Sequence, residues 1–74
     1  MSNIIETVLV DSDCIYHAQY NNTDNHLTLT FKNGGIYEYR GVPSFYWHGL
    51  FNATSKGKFI NKYIIRQWQY KKVA

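Results

Sequence analysis

The fifteen residues His26-Leu27-Thr28-Leu29-Thr30-Phe31-Lys32-Asn33-Gly34-Gly35-Ile36-Tyr37-Glu38-Tyr39-Arg40 decide the fold. Leu27, Leu29 and Phe31 alternate with polar partners, the period of a half-buried strand. Asn33-Gly34-Gly35 is a strong hairpin turn, and Ile36–Arg40 returns as the next strand. Loop length decides which way the tyrosines point. A two-residue turn at Asn33-Gly34 sets Phe31 opposite Ile36 and Leu29 opposite Glu38, leaving Glu38 and Arg40 on the apolar face. A three-residue loop, with Gly35 as the left-handed residue, sets Phe31 opposite Tyr37 and Leu29 opposite Tyr39. Thr30–Glu38 and Thr28–Arg40 then share the polar face. A one-residue slip turns every side chain over, so the second register is preferred and Tyr37 and Tyr39 point inward.

Upstream, Cys14–Tyr20 reads as a strand closed by the turn-rich run Asn21–Asn25, with the facing of Tyr16 and Tyr20 left open. Downstream, Pro43 is placed to open a helix at its first position. Tyr46, Trp47, Leu50, Phe51 and Ala53 recur at helical spacing as a buried stripe, while Phe45, His48 and Asn52 fall opposite. Phe45 is thus an aromatic without a core role. Thr54-Ser55 breaks the run and can cap a second helix. Phe59, Ile60, Tyr63 and Ile64 form that helix's apolar face, and Lys58, Lys62 and Arg66 form a basic ridge on its outer side. The tail from Gln67 to Ala74 alternates as an edge strand or an ordered arm. The expected architecture is α+β: an antiparallel meander of three or four strands, with two helices packed on one face.

The chain has 74 residues, one cysteine, and 13 aromatic residues: seven Tyr, four Phe and two Trp. It reads as a single domain over residues 1–74, without repeats or low-complexity tracts. A chain this short has a thin core, and one cysteine cannot close an internal disulfide. Large aromatics supply the burial instead, and Cys14 fits a reducing cytoplasm. Ile4–Val10 is interrupted by Glu6 and lacks a basic leader, so neither a signal peptide nor a membrane span is expected. The sequons at Asn21 and Asn52 are read as accidental.

Charge is unevenly placed. Residues 1–55 set Lys32 and Arg40 against Glu6, Asp11, Asp13, Asp24 and Glu38, a net −3, whereas residues 56–74 carry Lys56, Lys58, Lys62, Arg66, Lys71 and Lys72 without an acid, a net +6. Such a segment attracts phosphates. A plain solvated helix face is the alternative. Ser55-Lys56-Gly57-Lys58 is the sharpest local signal, because a hydroxyl, a small residue and free amides at a helix start suit a phosphate or carboxylate. It is not a Walker loop. Phe45, Trp68 and Tyr70 are the candidates for base stacking or partner contact.

Catalysis and metal binding find little support. Cys14, His17, His26 and His48 are too scattered for paired zinc ligands. Asp11-Ser12-Asp13 reads as turn chemistry, and no base with an orienting partner accompanies a nucleophile. No catalytic residue, metal or cofactor is expected.

Taken in order, several short stretches resemble the KTSC domain family, a module at the C-terminus of some lysyl-tRNA synthetases that also occurs alone in small bacterial and phage proteins. The resemblance covers roughly residues 8–70 and rests on Val10-Asp11-Ser12 with Ile15, Leu27–Phe31 with Asn33-Gly34, Tyr37-Glu38-Tyr39, Val42-Pro43, Leu50-Phe51-x-Ala53 and Ser55–Asn61. Two departures stand out. Ile64-Ile65-Arg66 shifts the family's arginine by one position, about 100° on a helix, and Trp68 replaces a common Tyr. The resemblance implies a non-enzymatic module for nucleic acid, RNA ahead of DNA, or for another phosphate-bearing ligand. The alternative is a small interaction or counter-defence protein, of phage type, that binds a host protein or sequesters a nucleotide signal.

Overall fold

The structure is a computed structural model and describes residues 5–65 and 67–74. Five strands, β1 (Ile5–Leu9), β2 (Ile15–Asn21), β3 (His26–Phe31), β4 (Ile36–Tyr39) and β5 (Tyr70–Lys72), form one antiparallel sheet in sequence order. Two helices, α1 (Ser44–Asn52) and α2 (Lys56–Tyr63), come between β4 and β5. The architecture is α+β, as expected, with a larger sheet. The N-terminal apolar stretch supplies an additional strand, and the tail is an edge strand.

The decisive hairpin keeps its facing and changes its partners. Leu29 lies opposite Tyr37 and Leu27 opposite Tyr39, two residues away from the expected pairing. The loop is three residues long, but it is Lys32-Asn33-Gly34, closed by the Phe31 N–H donating to the Gly35 carbonyl (2.8 Å). Gly34, at φ 97°, takes the left-handed position expected of Gly35. The Asn33 side chain accepts from the Gly35 N–H (2.9 Å), the local turn bond that fixes this choice. Moving a three-residue loop back by one position shifts the pairing by two. Side-chain parity therefore survives, and Tyr39 is buried as anticipated.

Ala18, Tyr20, Leu27, Leu29 and Tyr39 from the sheet join Val42, Trp47, Leu50, Ile60 and Ile64 in the core. The Tyr20 hydroxyl donates to the Val42 carbonyl (2.6 Å), with the Asn25 side-chain oxygen 3.0 Å away. Asn25, at φ 58°, tolerates the left-handed turn before β3, and its carbonyl accepts from the Val42 N–H (3.1 Å). Tyr20 thereby ties the β2–β3 turn to the entry of α1, while its ring stacks on Trp47 (5.4 Å between centroids).

Two helix details differ from expectation. Pro43 is the N-cap rather than the first helical residue. Phe51 is 50% exposed rather than core: it meets Trp47 edge-on (6.5 Å between centroids) at the rim of the core, where both line a cleft with Glu6 of β1.

Candidate nucleic-acid interface

α2 begins at a true cap. The Ser55 side chain accepts from the Lys58 N–H (3.4 Å), and no acid occupies the first turn. The neighbouring residues are held by the fold. The Lys56 ammonium donates to the Ala53 carbonyl (3.3 Å), at the C-terminal end of α1 where the helix dipole favours a cation. Gly57 is buried, and a methyl group there would lie 3.1 Å from Ser12 Cβ. Ser12 in turn accepts from the Cys14 and Ile15 N–H groups (3.1 and 3.3 Å), which sets the loop entering β2. Two distant motifs, Asp11-Ser12 and Lys56-Gly57, thus meet at one helix start. Their contact needs glycine for close approach.

Lys58 and Lys62 remain as exposed cations one turn apart on α2. Among the described residues, the ion pair within 4.0 Å is Arg40–Glu38 (3.5 Å), on the other face of the sheet. Lys71 lies opposite that same Glu38, so its charge is partly offset, whereas Lys72 lies opposite Tyr37. Arg66, the expected end of the ridge, falls outside the described residues. α2 itself ends at Tyr63.

Beside Lys62 runs a strip of aromatic rings. Phe45, 63% exposed, stacks on Tyr46 (4.4 Å, 27° between planes). Tyr46 meets Trp68 edge-on (5.4 Å) and approaches Tyr63 (6.5 Å), which packs against Phe59 (4.7 Å). The Trp68 indole donates to the Tyr63 carbonyl (3.1 Å), holding the segment after α2 against the helix. The Lys62 ammonium sits 5.3 Å from the Tyr63 ring centroid, within reach of a cation–π attraction.

Of the three expected stacking candidates, the fold brings Phe45 and Trp68 together through Tyr46. Tyr70 is elsewhere, packed with Tyr37 and Tyr39 (5.3 and 5.8 Å) at the β4–β5 edge. Reading the sequence overlooked Tyr46 as the hub, because its helical spacing placed it simply in the core stripe. Tyr63 was likewise placed inside and is exposed. Among the described residues no three His, Cys, Asp or Glu side chains converge as metal ligands, and no helix is long and apolar enough to cross a membrane.

Comparison with known proteins gives a consistent picture. The model of the KTSC domain matches residues 11–72. Lysine–tRNA ligases from Nostoc sp. and Trichormus variabilis are 41% identical over 56 residues and 36% identical over 60 residues. These matches cover 76% and 81% of this chain but only 10% and 11% of the ligases. The crystal structure of a KTSC domain protein from Yersinia pestis superposes with a TM-score of 0.84 at 27% identity, covering 96% of this chain and 100% of that one.

Proposed function

The chain belongs to the KTSC domain family, and on that premise we propose that it is a non-enzymatic module that binds single-stranded RNA. Two of the matching relatives are lysine–tRNA ligases, and the aligned part is 10% and 11% of their length. The observation that carries the proposal is the Lys62 ammonium over the Tyr63 ring, within an exposed strip that runs through Tyr46 to Phe45. Bases stack on such rings for about 1–3 kcal/mol each without demanding a particular sequence. Lys58 and Lys62 flank the strip as phosphate partners, with Lys72 as a further cation. Ser55, Lys56 and Gly57 contribute by building the helix start that presents Lys58.

Fluorescence anisotropy with a labelled single-stranded RNA, titrated at several salt concentrations, tests this. Affinity is expected to fall with salt, with a logarithmic slope of roughly −0.7 for each phosphate neutralised, and to be lost in Lys58→Glu with Lys62→Glu. Salt-independent binding, or binding that survives the double substitution, overturns the proposal. So does recovery of one stoichiometric protein after nuclease treatment that Phe45→Ala releases, which assigns the aromatic strip to a protein partner instead.

A further inference from the structure

Among the described residues, the sheet ends in two unpaired edges of opposite character. β5 carries Lys71 and Lys72, the kind of charge that keeps an edge from pairing with another chain. β1 carries one charge, Glu6, between Ile5 and Leu9, which are 58% and 69% exposed. Ladder alternation fixes which backbone groups face outward. The Val10 N–H donates to the Tyr16 carbonyl (3.1 Å), and Val8 and Glu6 lie opposite Ala18 and Tyr20 in the same ladder. Hydrogen-bonded pairs alternate in an antiparallel ladder. Glu6, Val8 and Val10 therefore turn their peptide groups toward β2, and Ile5, Thr7 and Leu9 turn theirs to the open edge. On the helix side of this edge, Phe51 stands half-exposed. It lines a cleft of about 170 Å³ with Glu6, Trp47, His48 and Asn52. Three large apolar side chains thus surround a strand whose outer side pairs with no other described residue.

We infer that β1 pairs antiparallel with β1 of a second copy, about a two-fold axis centred on Thr7. In this register all five residues overlap. Thr7 exchanges backbone hydrogen bonds with the partner's Thr7, and Ile5 lies across from the partner's Leu9. Those are the residues whose N–H and C=O groups already point outward. Glu6 lies across from the partner's Val8, so no like charges stand directly opposed. A register centred on Glu6 would set the two carboxylates face to face, and one centred on Val8 would leave Ile5 uncovered. Pairing β1 with a partner's β5 would set lysines against Ile5 and Leu9 and would leave free edges to continue the chain. The two-fold arrangement closes on itself and extends the sheet from five strands to ten.

Sedimentation of the full chain across a wide concentration range tests the inference. The expected result is a monomer–dimer equilibrium with nothing larger. Thr7→Pro removes an N–H that faces away from β2, so the monomer keeps its fold while the dimer loses a symmetric pair of bonds and weakens by roughly tenfold or more. Leu9→Lys, at a side chain already in water, is a second variant expected to shift the equilibrium toward monomer. Far-ultraviolet circular dichroism checks that both remain folded. A wild-type chain that stays monomeric at every concentration overturns the inference. So does a dimer that survives both substitutions, or a series of higher oligomers.

Discussion

Phe45, Tyr46 and Trp47 are three aromatic residues in a row on one helix, and their fates differ completely. Phe45 is 63% exposed and Trp47 only 2%, with Tyr46 between them in burial. Each step along a helix turns the side chain by about 100°, so one turn of α1 passes from solvent to core. Trp47 meets Tyr20, whose hydroxyl is tied to the Val42 carbonyl, and together they clamp the sheet to the first helix. The Trp47 indole N–H has no acceptor among the described residues, so that ring is held by packing alone. On the other side of the same turn, Phe45 and Tyr46 lead into a chain of rings that ends beside Lys62. Aromatic side chains therefore stand in two separate settings here: a thin core, and a connected strip of rings that reaches the surface.

The sharpest way to break this contrast is at Trp47. Trp47→Ala is expected to cost about 3–5 kcal/mol, a large part of the total stability of a domain this size. Urea denaturation should show a much lower midpoint, or no folded state. A smaller loss under about 1 kcal/mol would mean that the clamp is not where the helix is anchored.

A milder probe is the clamp's polar end. Tyr20→Phe keeps the ring stacked on Trp47 but leaves the buried Val42 carbonyl without its donor, an expected loss of about 1–3 kcal/mol. The same residue carries a pH signature. Burial raises the Tyr20 and Tyr39 hydroxyls above the ordinary value of 10.0, since the phenolate is the form that burial penalises. A raised folded value means that stability is complete below about pH 10 and is lost as pH climbs through the folded values. Alkaline melting of the wild type should fall in that window, and Tyr20→Phe should blunt the fall.

The sequence displays the core far better than the surface strip. Period and parity put Tyr39, Leu27 and Leu29 inside even though the loop lies one residue earlier than the glycine pair suggests, because a shift of two restores the same face. β1 is hidden in the sequence because Ile5, Thr7 and Leu9 stay exposed on their sheet face, so the stretch never shows the apolar alternation of a half-buried strand. Phe51 and Tyr63 sit at the margins of their helical stripes, where a spacing rule cannot distinguish a flank from a centre. The basic quarter of the chain was visible as composition, yet only the fold separates Lys56, spent on the Ala53 carbonyl, from Lys58 and Lys62 on the surface. Tyr46 as a hub was not legible at all. Its partners Trp68 and Tyr63 approach through the turn after α2, which no local pattern specifies.

The subtlest test lies at the opposite end of the same helical turn from Trp47. Phe45 touches Tyr46 on one side and water on the other, so Phe45→Ala removes little buried area and its effect on stability should stay within about 0.5 kcal/mol. If the strip is a stacking surface, the same substitution should weaken single-stranded RNA binding by about 1–3 kcal/mol, measured by anisotropy at one fixed salt concentration. The lysines are untouched, so the salt slope should not change. Loss of affinity with an unchanged slope separates ring stacking from phosphate contact. A Phe45→Ala protein that melts like the wild type and binds RNA as well would reduce the exposed ring to an accident of the turn that buries Trp47.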